Sequence, residues 1–148
     1  RLCVNASREN VQNVLDTGHV QCLQFHGDET PEFCASFGVP WYKAFRVAEL
    51  ESARRLLQPF RGRCSLLLDT YVKGTAGVTG KVFDWTIATT LAEEGFTPLI
   101  LAGGLTPGNV AAAVEQVKPW GVDVCSSVES APGVKDPDKL REFFSAVV

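Results

Sequence analysis

Residues 99–110 read L-I-L-A-G-G-L-T-P-G-N-V, and this stretch decides how the rest of the chain is interpreted. Its short apolar start is typical of a strand buried on both faces of a parallel sheet. Gly103 and Gly104 allow a sharp turn and close approach of a ligand. Thr106 and Pro107 predict a helix start, as N-cap and first helical residue. Such a start favours a bound phosphate, although an ordinary turn without a ligand fits the same residues.

The same strand-then-helix unit recurs along the chain. Strands are predicted at residues 2–5, 20–25, 41–45, 64–68, 99–102 and 122–125. Helices are predicted after caps at Ser7, Thr30, Asp84 and Asp136, and over residues 48–58. The alternation predicts an α/β fold with a parallel sheet and without a hairpin. Polar residues and glycines follow the strands, at the carboxyl edge where ligands bind in such sheets and barrels.

The composition narrows the function classes. The 148 residues fit one domain, and the hydrophobic fraction of 45% with 21% charged residues is typical of a soluble globular protein. A net charge of −3 argues against a nucleic-acid surface, and no apolar run is long enough for a membrane span. The five cysteines are an odd number without C-x-x-C spacing, which favours free thiols in the reducing cytosol. Four of them are expected in the core: Cys3, Cys22, Cys64 and Cys125.

Two predicted strand ends carry groups suited to acid–base chemistry. Asp69 follows Ser-Leu-Leu-Leu, so its carboxyl is expected to be poorly solvated, which favours the neutral form that donates a proton. A loop-ordering aspartate fits the same position. Gln24 and His26 lie two residues apart and are expected to face the same side, where they contact a polar substrate. A structural histidine is the alternative.

The last two units predict an anion site. Asp123 lies within an apolar run, where an unpaired carboxylate is costly. Ser126 and Ser127 follow it, and their hydroxyl and N–H groups are expected to complete a phosphate cup with Gly103 and Gly104. Two neighbouring anion loops match the phosphate site that often follows strands seven and eight of a barrel.

Two further features are less specific. Lys43 and Arg46 flank the third strand end, where one of them is expected to reach an anionic ligand, although solvated charges are commoner. The loop K-G-T-A-G-V-T-G-K at residues 73–81 has the wrong glycine spacing for a nucleotide motif and predicts a mobile lid.

Five motifs in this order resemble phosphoribosylanthranilate isomerase. They are Q-F-H-G-D-E, L-L-L-D-T, G-K-V-F-D-W, L-A-G-G-L-T-P-G-N-V and G-V-D-V-C-S-S-V-E-S-A-P-G-V-K-D. The resemblance implies a (β/α)8 TIM barrel of which this chain, as one partial domain over residues 1–148, contains strands three to eight. It also implies an Amadori rearrangement of N-(5-phosphoribosyl)anthranilate in tryptophan biosynthesis, without metal or cofactor and in the cytoplasm.

The resemblance also assigns roles. Asp69 matches the family's general acid, which protonates the furanose ring oxygen. Gln24 and His26 match its pocket wall. Four positions match the surroundings of the phosphate and the pocket floor: Gly103, Gly104, Asp123 and Ser126. The implied partner is a small phosphosugar substrate, with fusion to or association with other tryptophan-pathway domains.

The chain departs from the family pattern at four places. The K-I-C-G segment with the family's general-base cysteine is absent, and so is the strand with the arginine that holds the anthranilate carboxylate. Val78 stands in a loop where the family has glycine. Ser127 replaces another glycine, and it is expected to crowd or strain the phosphate cup.

Three explanations of these departures remain open. The chain is a fragment of a longer isomerase, a shortened relative that pairs with another chain, or an inactive relative that binds a phosphosugar. The fragment explanation is favoured because the remaining motifs are well kept. On any of them, the isolated chain is expected to be inactive and to associate through unpaired sheet edges.

Overall fold

A parallel six-stranded sheet carries the structure, and helices connect its strands. The computed structural model describes residues 1–69 and 85–147. The sheet elements in chain order are β1 (Leu2–Cys3), β2 (Leu23–Phe25), β3 (Trp41–Arg46), β4 (Ser65–Asp69), β5 (Leu99–Ala102) and β6 (Gly121–Val122). The helices are α1 (Arg8–Asp16), α2 (Pro31–Ala35), α3 (Leu50–Leu57), α4 (Thr86–Glu93), α5 (Val110–Val117) and α6 (Pro137–Val147). Strands are neighbours in chain order, which is the arrangement expected of repeated βα units.

The sheet register divides the side chains between two faces. In β3 and β4, Lys43 lies opposite Leu66, and Ala44 lies opposite Leu67. The face that contains Leu66 packs against the helices and forms the large core. The opposite face holds the small cluster around Ala44 and Leu67. Because side chains alternate along a strand, Asp69 belongs to this second face, at the carboxyl edge.

The predicted helix starts are mostly confirmed. The hydroxyls of Ser7 and Thr30 accept hydrogen bonds from the N–H groups three residues later, as N-caps do. The carboxylate of Asp136 accepts from the N–H groups of Asp138 and Lys139 at the start of α6. The predicted cap at Asp84 lies outside the described residues.

The start of α5 is a correction. Thr106 was predicted as the N-cap, but residues 107–109 form a turn and the helix begins at Val110, with Asn109 at the cap position. The carbonyl of Thr106 accepts from the N–H groups of Asn109 and Val110. The Thr-Pro pair therefore opens a turn that precedes the helix.

Three strand predictions were too long, since β1 also ends at Cys3 instead of Asn5, and one pairing was missed. β2 begins at Leu23, and β6 ends at Val122 instead of extending to Cys125. The chain leaves the sheet after the N–H of Asp123 donates to the carbonyl of Leu101. It then forms a short 3-10 helix (Ser126–Val128) and an antiparallel hairpin of β7 (Glu129–Ala131) and β8 (Val134–Lys135), contrary to the prediction of no hairpin.

One aromatic side chain of α6 and one cysteine that was expected in the core are exposed. Phe143 on α6 is buried, but Phe144 beside it is 62% exposed. The two side chains point to different sides of the helix, and α6 packs against α5 and the 3-10 helix. Cys125 is exposed as well, because it follows the end of β6. All five cysteines are free thiols.

Both edges of the sheet lack a partner strand among the described residues. β1 pairs only with β2, and β6 pairs only with β5, so the sheet does not close on itself within the described part of the chain. Leu2 and Val4, at the β1 edge, are 51% and 57% exposed. Association through these edges remains a prediction.

A buried ion pair connects the loops that follow β1 and β2. Either Lys43 or Arg46 was expected to reach an anionic ligand, but the Lys43 side chain faces the core, where its Nζ donates to Glu29 Oε2 at 2.7 Å and to the carbonyl of Gly27 at 2.6 Å. The Glu29 carboxylate also accepts from the N–H groups of Asn5 and Gly27. A Cβ at Gly27 would lie 2.7 Å from the nitrogen of Asn5, so the two loops approach each other too closely for any other residue there.

The buried pair of Lys43 and Glu29 leads to a prediction about the stability of the protein. Burial alone would raise the pKa of the Glu29 carboxyl, but the hydrogen bonds from Lys43, Asn5 and Gly27 lower it below 4.5. A carboxyl with a lowered pKa in the folded state stabilises the protein above pH 4.5, and this contribution is lost as the pH falls through the lowered value. We expect Glu29→Gln to flatten the acid limb of a plot of unfolding free energy against pH.

Removing the Lys43 ammonium is expected to lower the unfolding free energy more than removing the Glu29 charge. Lys43→Met leaves the Glu29 carboxylate buried without its ammonium partner, which costs about 3–5 kcal/mol in unfolding free energy. The matched control is Arg141→Met, which breaks the exposed pair with Asp138 and should change stability little. Equal effects of the two substitutions in urea unfolding would contradict this account.

Candidate active site

A pocket of about 500 Å³ opens at the carboxyl edge of the sheet. It lies where β2, β4, β5 and β6 end, which is the edge at which ligands bind in α/β folds. All eight site residues predicted from the sequence line it: Gln24, His26, Asp69, Gly103, Gly104, Asp123, Ser126 and Ser127. The structure thus brings together residues that are up to about 100 positions apart, while their individual roles stay predictions.

Asp69 and His26 face each other across the pocket. The Nε2 atom of His26 lies 4.0 Å from Oδ2 of Asp69, which is too far for a direct hydrogen bond. That nitrogen is buried and has no hydrogen-bond partner among residues 1–69 and 85–147. An unsatisfied buried polar atom is costly unless a ligand completes it, so Nε2 is suited to contact a polar substrate group beside Asp69.

Gln24 is held by a residue that sequence reasoning missed. The hydroxyl of Tyr42, which lies opposite Gln24 in the sheet, donates to Gln24 Oε1 at 3.1 Å. This bond fixes the amide so that its NH₂ group remains available as a donor. Burial, followed by the charge of Asp123, raises the pKa of the Tyr42 hydroxyl, which keeps this group a donor. Its position on the inner face of β3 could have been found from the two-residue alternation of the strand.

Asp123 lies at the open side of the pocket. Partial desolvation against the pocket wall and then the negative charge of Asp69 raise the pKa of the Asp123 carboxyl above its usual 3.8. Lys135 and His26 act in the opposite direction. The charge of Asp69 therefore disfavours the ionised form of Asp123, and proton uptake by Asp123 relieves the repulsion.

The two loops beyond β5 and β6 meet at one end of the pocket. Gly103 and Gly104 have φ angles of 80° and 67°, a conformation that favours glycine. A Cβ added at Gly104 would meet nothing within 4 Å, so there is open space beside this turn. Neighbouring N–H groups in such a left-handed turn form concavities that bind anions.

One of the two expected effects of Ser127, strain of the backbone, was wrong, while crowding of the phosphate stays a prediction. Ser127 was predicted to strain the backbone, yet among the described residues only Asn5 and Lys118 combine a side chain with a positive φ. Its hydroxyl donates to the carbonyl of Leu105 in the neighbouring loop. The side chain therefore connects the two loops, and its oxygen is engaged by the protein.

A charged group lies at the rim beyond β6. The ammonium of Lys135, on β8, donates to the carbonyl of Cys125 at 2.8 Å and to Glu129 at 2.9 Å. The hydrogen bond from Lys135 lowers the pKa of the Glu129 carboxyl. The charge of Lys135 also lowers the pKa of the Asp123 carboxyl, against the larger effect of burial. Arg46, the other cation considered above, is exposed on β3 and does not line the pocket.

Residues 1–69 and 85–147 contain no group of three metal-ligating side chains close enough to hold an ion. Within these ranges, no helix has the length and apolar character needed to cross a membrane. The predicted lid at residues 73–81 and the G-K-V-F-D-W motif lie outside the described residues, apart from Trp85.

The parallel sheet and its carboxyl-edge pocket, lined by carboxyl and imidazole side chains and by a glycine turn, are typical of barrel-type α/β enzymes. The family model described as N-(5'phosphoribosyl)anthranilate (PRA) isomerase matches residues 2–146. The chain belongs to this family.

Relatives and solved structures agree with that assignment. The N-(5'-phosphoribosyl)anthranilate isomerase of Pseudomonas fluorescens is 48% identical over 147 residues, which are 99% of this chain and 68% of the relative. The crystal structure of phosphoribosyl anthranilate isomerase from Thermotoga maritima matches with a TM-score of 0.86 and 34% identity, over 99% of this chain and 70% of that one. A complex of such an isomerase with reduced 1-(o-carboxyphenylamino)-1-deoxyribulose 5-phosphate matches with a TM-score of 0.81 and 31% identity, over 99% of this chain and 69% of that one.

The raised pKa of the Asp123 carboxyl predicts how the stability of the protein depends on pH. A carboxyl whose pKa is raised in the folded state favours folding at low pH, and this contribution is lost as the pH rises through the raised value. We therefore expect Asp123→Asn to raise the melting temperature near pH 7 and to have little effect near pH 3. The control is Asp16→Asn on the exposed face of α1. An unchanged or lowered melting temperature near pH 7 would contradict the electrostatic description of this pocket.

Proposed function

We propose that this pocket is the acid and phosphate half of a phosphoribosylanthranilate isomerase site, acting in tryptophan biosynthesis. The substrate is N-(5'-phosphoribosyl)anthranilate, and the product is the open-chain amino ketose phosphate. The observation that supports this most is the convergence of all eight predicted site residues on one pocket. Membership of the family supports the same reaction.

Asp69 acts as the general acid in this proposal. Its carboxyl donates a proton to the furanose ring oxygen, and the bond between that oxygen and the anomeric carbon breaks. The anthranilate nitrogen supplies the electron pair that forms the C=N bond. Loss of the proton from the neighbouring sugar carbon gives an enolamine, which becomes the ketose by proton transfer. An acid positioned in this way contributes about 10²- to 10⁴-fold in rate.

The other described groups hold the substrate. The phosphate binds at the turn of Gly103 and Gly104, with Ser126 on the opposite loop. His26, with its unpartnered Nε2, and Gln24, with its free amide NH₂, contact the sugar hydroxyls. Asp123 lies at the open side and adjusts the charge of the pocket. Binding of the phosphate at the glycine turn holds one end of the substrate, and this positions the ring oxygen at the other end beside Asp69.

The proton acceptor comes from outside these 148 residues in this proposal. The K-I-C-G segment of the family is not in the sequence, and the sheet has two free edges among the described residues. Two further parallel strands between β6 and β1 would bring a base to the side of the pocket that faces Asp69. Whether such a segment is continuous with this chain or belongs to an associated tryptophan-pathway domain is a matter for experiment.

One observation favours a second function. The described pocket provides groups for an acid and a phosphate but matches no residue to the family's base, which is what a phosphosugar-binding relative without turnover would show. The two functions differ in whether a supplied βαβα segment restores activity.

The test is complementation of an isomerase-deficient bacterial strain. We expect no growth without tryptophan from the chain alone, and growth when a βαβα segment with the base is supplied. Asp69→Ala should abolish this growth, and purified protein should lose about 10²- to 10⁴-fold in turnover. Asp16→Asn serves as the control, since this residue lies on the exposed surface of α1.

Each outcome separates the functions. Growth that survives Asp69→Ala would refute the assigned acid. Absence of growth with the segment, combined with retained binding of the reduced product analogue, would favour the binding relative.

A further inference from the structure

The peptide unit between Leu105 and Thr106 is held from both sides. Its carbonyl oxygen, on Leu105, accepts the hydroxyl hydrogen of Ser127 from the loop after β6. Its N–H, on Thr106, donates to Oδ1 of Asn109 at 2.8 Å. A planar peptide with both polar groups engaged cannot rotate without breaking one of these bonds.

The preceding peptide unit is fixed by the same asparagine. The side-chain nitrogen of Asn109 donates to the carbonyl of Gly104 at 3.0 Å. In a trans peptide the N–H points away from the carbonyl of the same unit, so the N–H of Leu105 is directed away from Asn109. The Leu105 side chain is only 3% exposed, and its burial holds the other side of the turn in the core.

These bonds leave two neighbouring donors unused. Within the described residues, neither the N–H of Gly104 nor that of Leu105 donates to a protein acceptor. Both residues line the pocket, and the space beside Gly104 is open. Adjacent N–H groups in a left-handed turn are an anion site when they are held in one orientation.

We propose that Ser127 and Asn109 are positioning residues that hold the Leu105 N–H, beside the N–H of Gly104, toward an anion, and that the Ser127 hydroxyl is not itself an anion ligand. The inference rests on the proposed function, which places a phosphate at this turn. It revises the assignment of Ser127 from a phosphate contact to a group that acts through the Leu105 carbonyl.

The opposite interpretation makes a different prediction. If the Ser127 side chain crowded the phosphate, replacement by glycine would strengthen binding. If it holds the turn, glycine and alanine both weaken binding, and threonine, which keeps the hydroxyl, restores most of it. The order of affinities among these variants therefore separates the two interpretations.

The experiment is calorimetric titration of the full 148-residue chain with inorganic phosphate. We expect Ser127→Ala and Ser127→Gly to weaken binding about fivefold, the size of effect that follows from losing one hydrogen bond that orients the donors. Asn109→Ala should weaken it at least as much. Ser127→Thr should stay close to the original protein. The control is Ser130→Ala, which removes a serine-to-carbonyl bond in the hairpin outside the pocket.

A second readout does not depend on phosphate. Asn109 protects the Thr106 N–H from exchange, and Ser127 holds the carbonyl of the same peptide unit. Because loss of the Ser127 hydroxyl loosens that unit, we expect Ser127→Ala to speed amide hydrogen exchange at Thr106 without changing exchange in β4. Tighter binding by Ser127→Gly, or unchanged affinity and exchange in Ser127→Ala, would overturn the positioning role alone. Absence of phosphate binding by the original chain would refute the anion site and, with it, the phosphate half of the proposed function.

Discussion

The parallel register of β3, β4 and β5 is the constraint on which the site depends. It places Arg46, Asp69 and Ala102 side by side at the carboxyl edge. Because side chains alternate along each strand, Ala44 and Leu67 form the small inner cluster with Ala102, and the intervening residues Phe45, Leu68 and Leu101 belong to the large core. A shift of one residue in β4 would send Asp69 into the helix-covered core and Leu68 into the pocket. The same strand register therefore determines which side chains line the pocket and which fill the core.

The loops beyond the strands have their own supports, each based on a polar side chain. The Glu29 carboxylate accepts hydrogen bonds from backbone N–H groups after β1 and β2, and the Lys43 ammonium on the core face of the sheet neutralises its charge. Asn109 and Ser127 do the same for the loops after β5 and β6. Pocket-lining residues can thus remain unsatisfied, as His26 is, because other residues keep the loops in place.

The sequence predicted the βα rhythm and the pocket residues because both follow from local patterns, namely apolar runs, caps and polar residues after strands. It failed where a tertiary contact decides between local alternatives. Thr106 and Asn109 are both good caps, and only the contacts of Asn109 with the preceding loop select it. In the sequence, Lys43 resembles a solvated surface charge, because its partner Glu29 lies outside β3, in the loop after β2. The connection from Ser127 to Leu105 spans 22 positions, and no local pattern indicates it.

The central claim is that a preformed pocket in this chain orients a phosphosugar with its phosphate at the glycine turn and its sugar at Asp69. A crystal structure of the chain with reduced 1-(o-carboxyphenylamino)-1-deoxyribulose 5-phosphate tests it most directly. The account predicts phosphate oxygens within hydrogen-bond distance of the Gly104 and Leu105 N–H groups, and the oxygen on C4 of the sugar beside the Asp69 carboxyl. A ligand bound with its phosphate elsewhere, or with Asp69 facing away from the sugar, would contradict it.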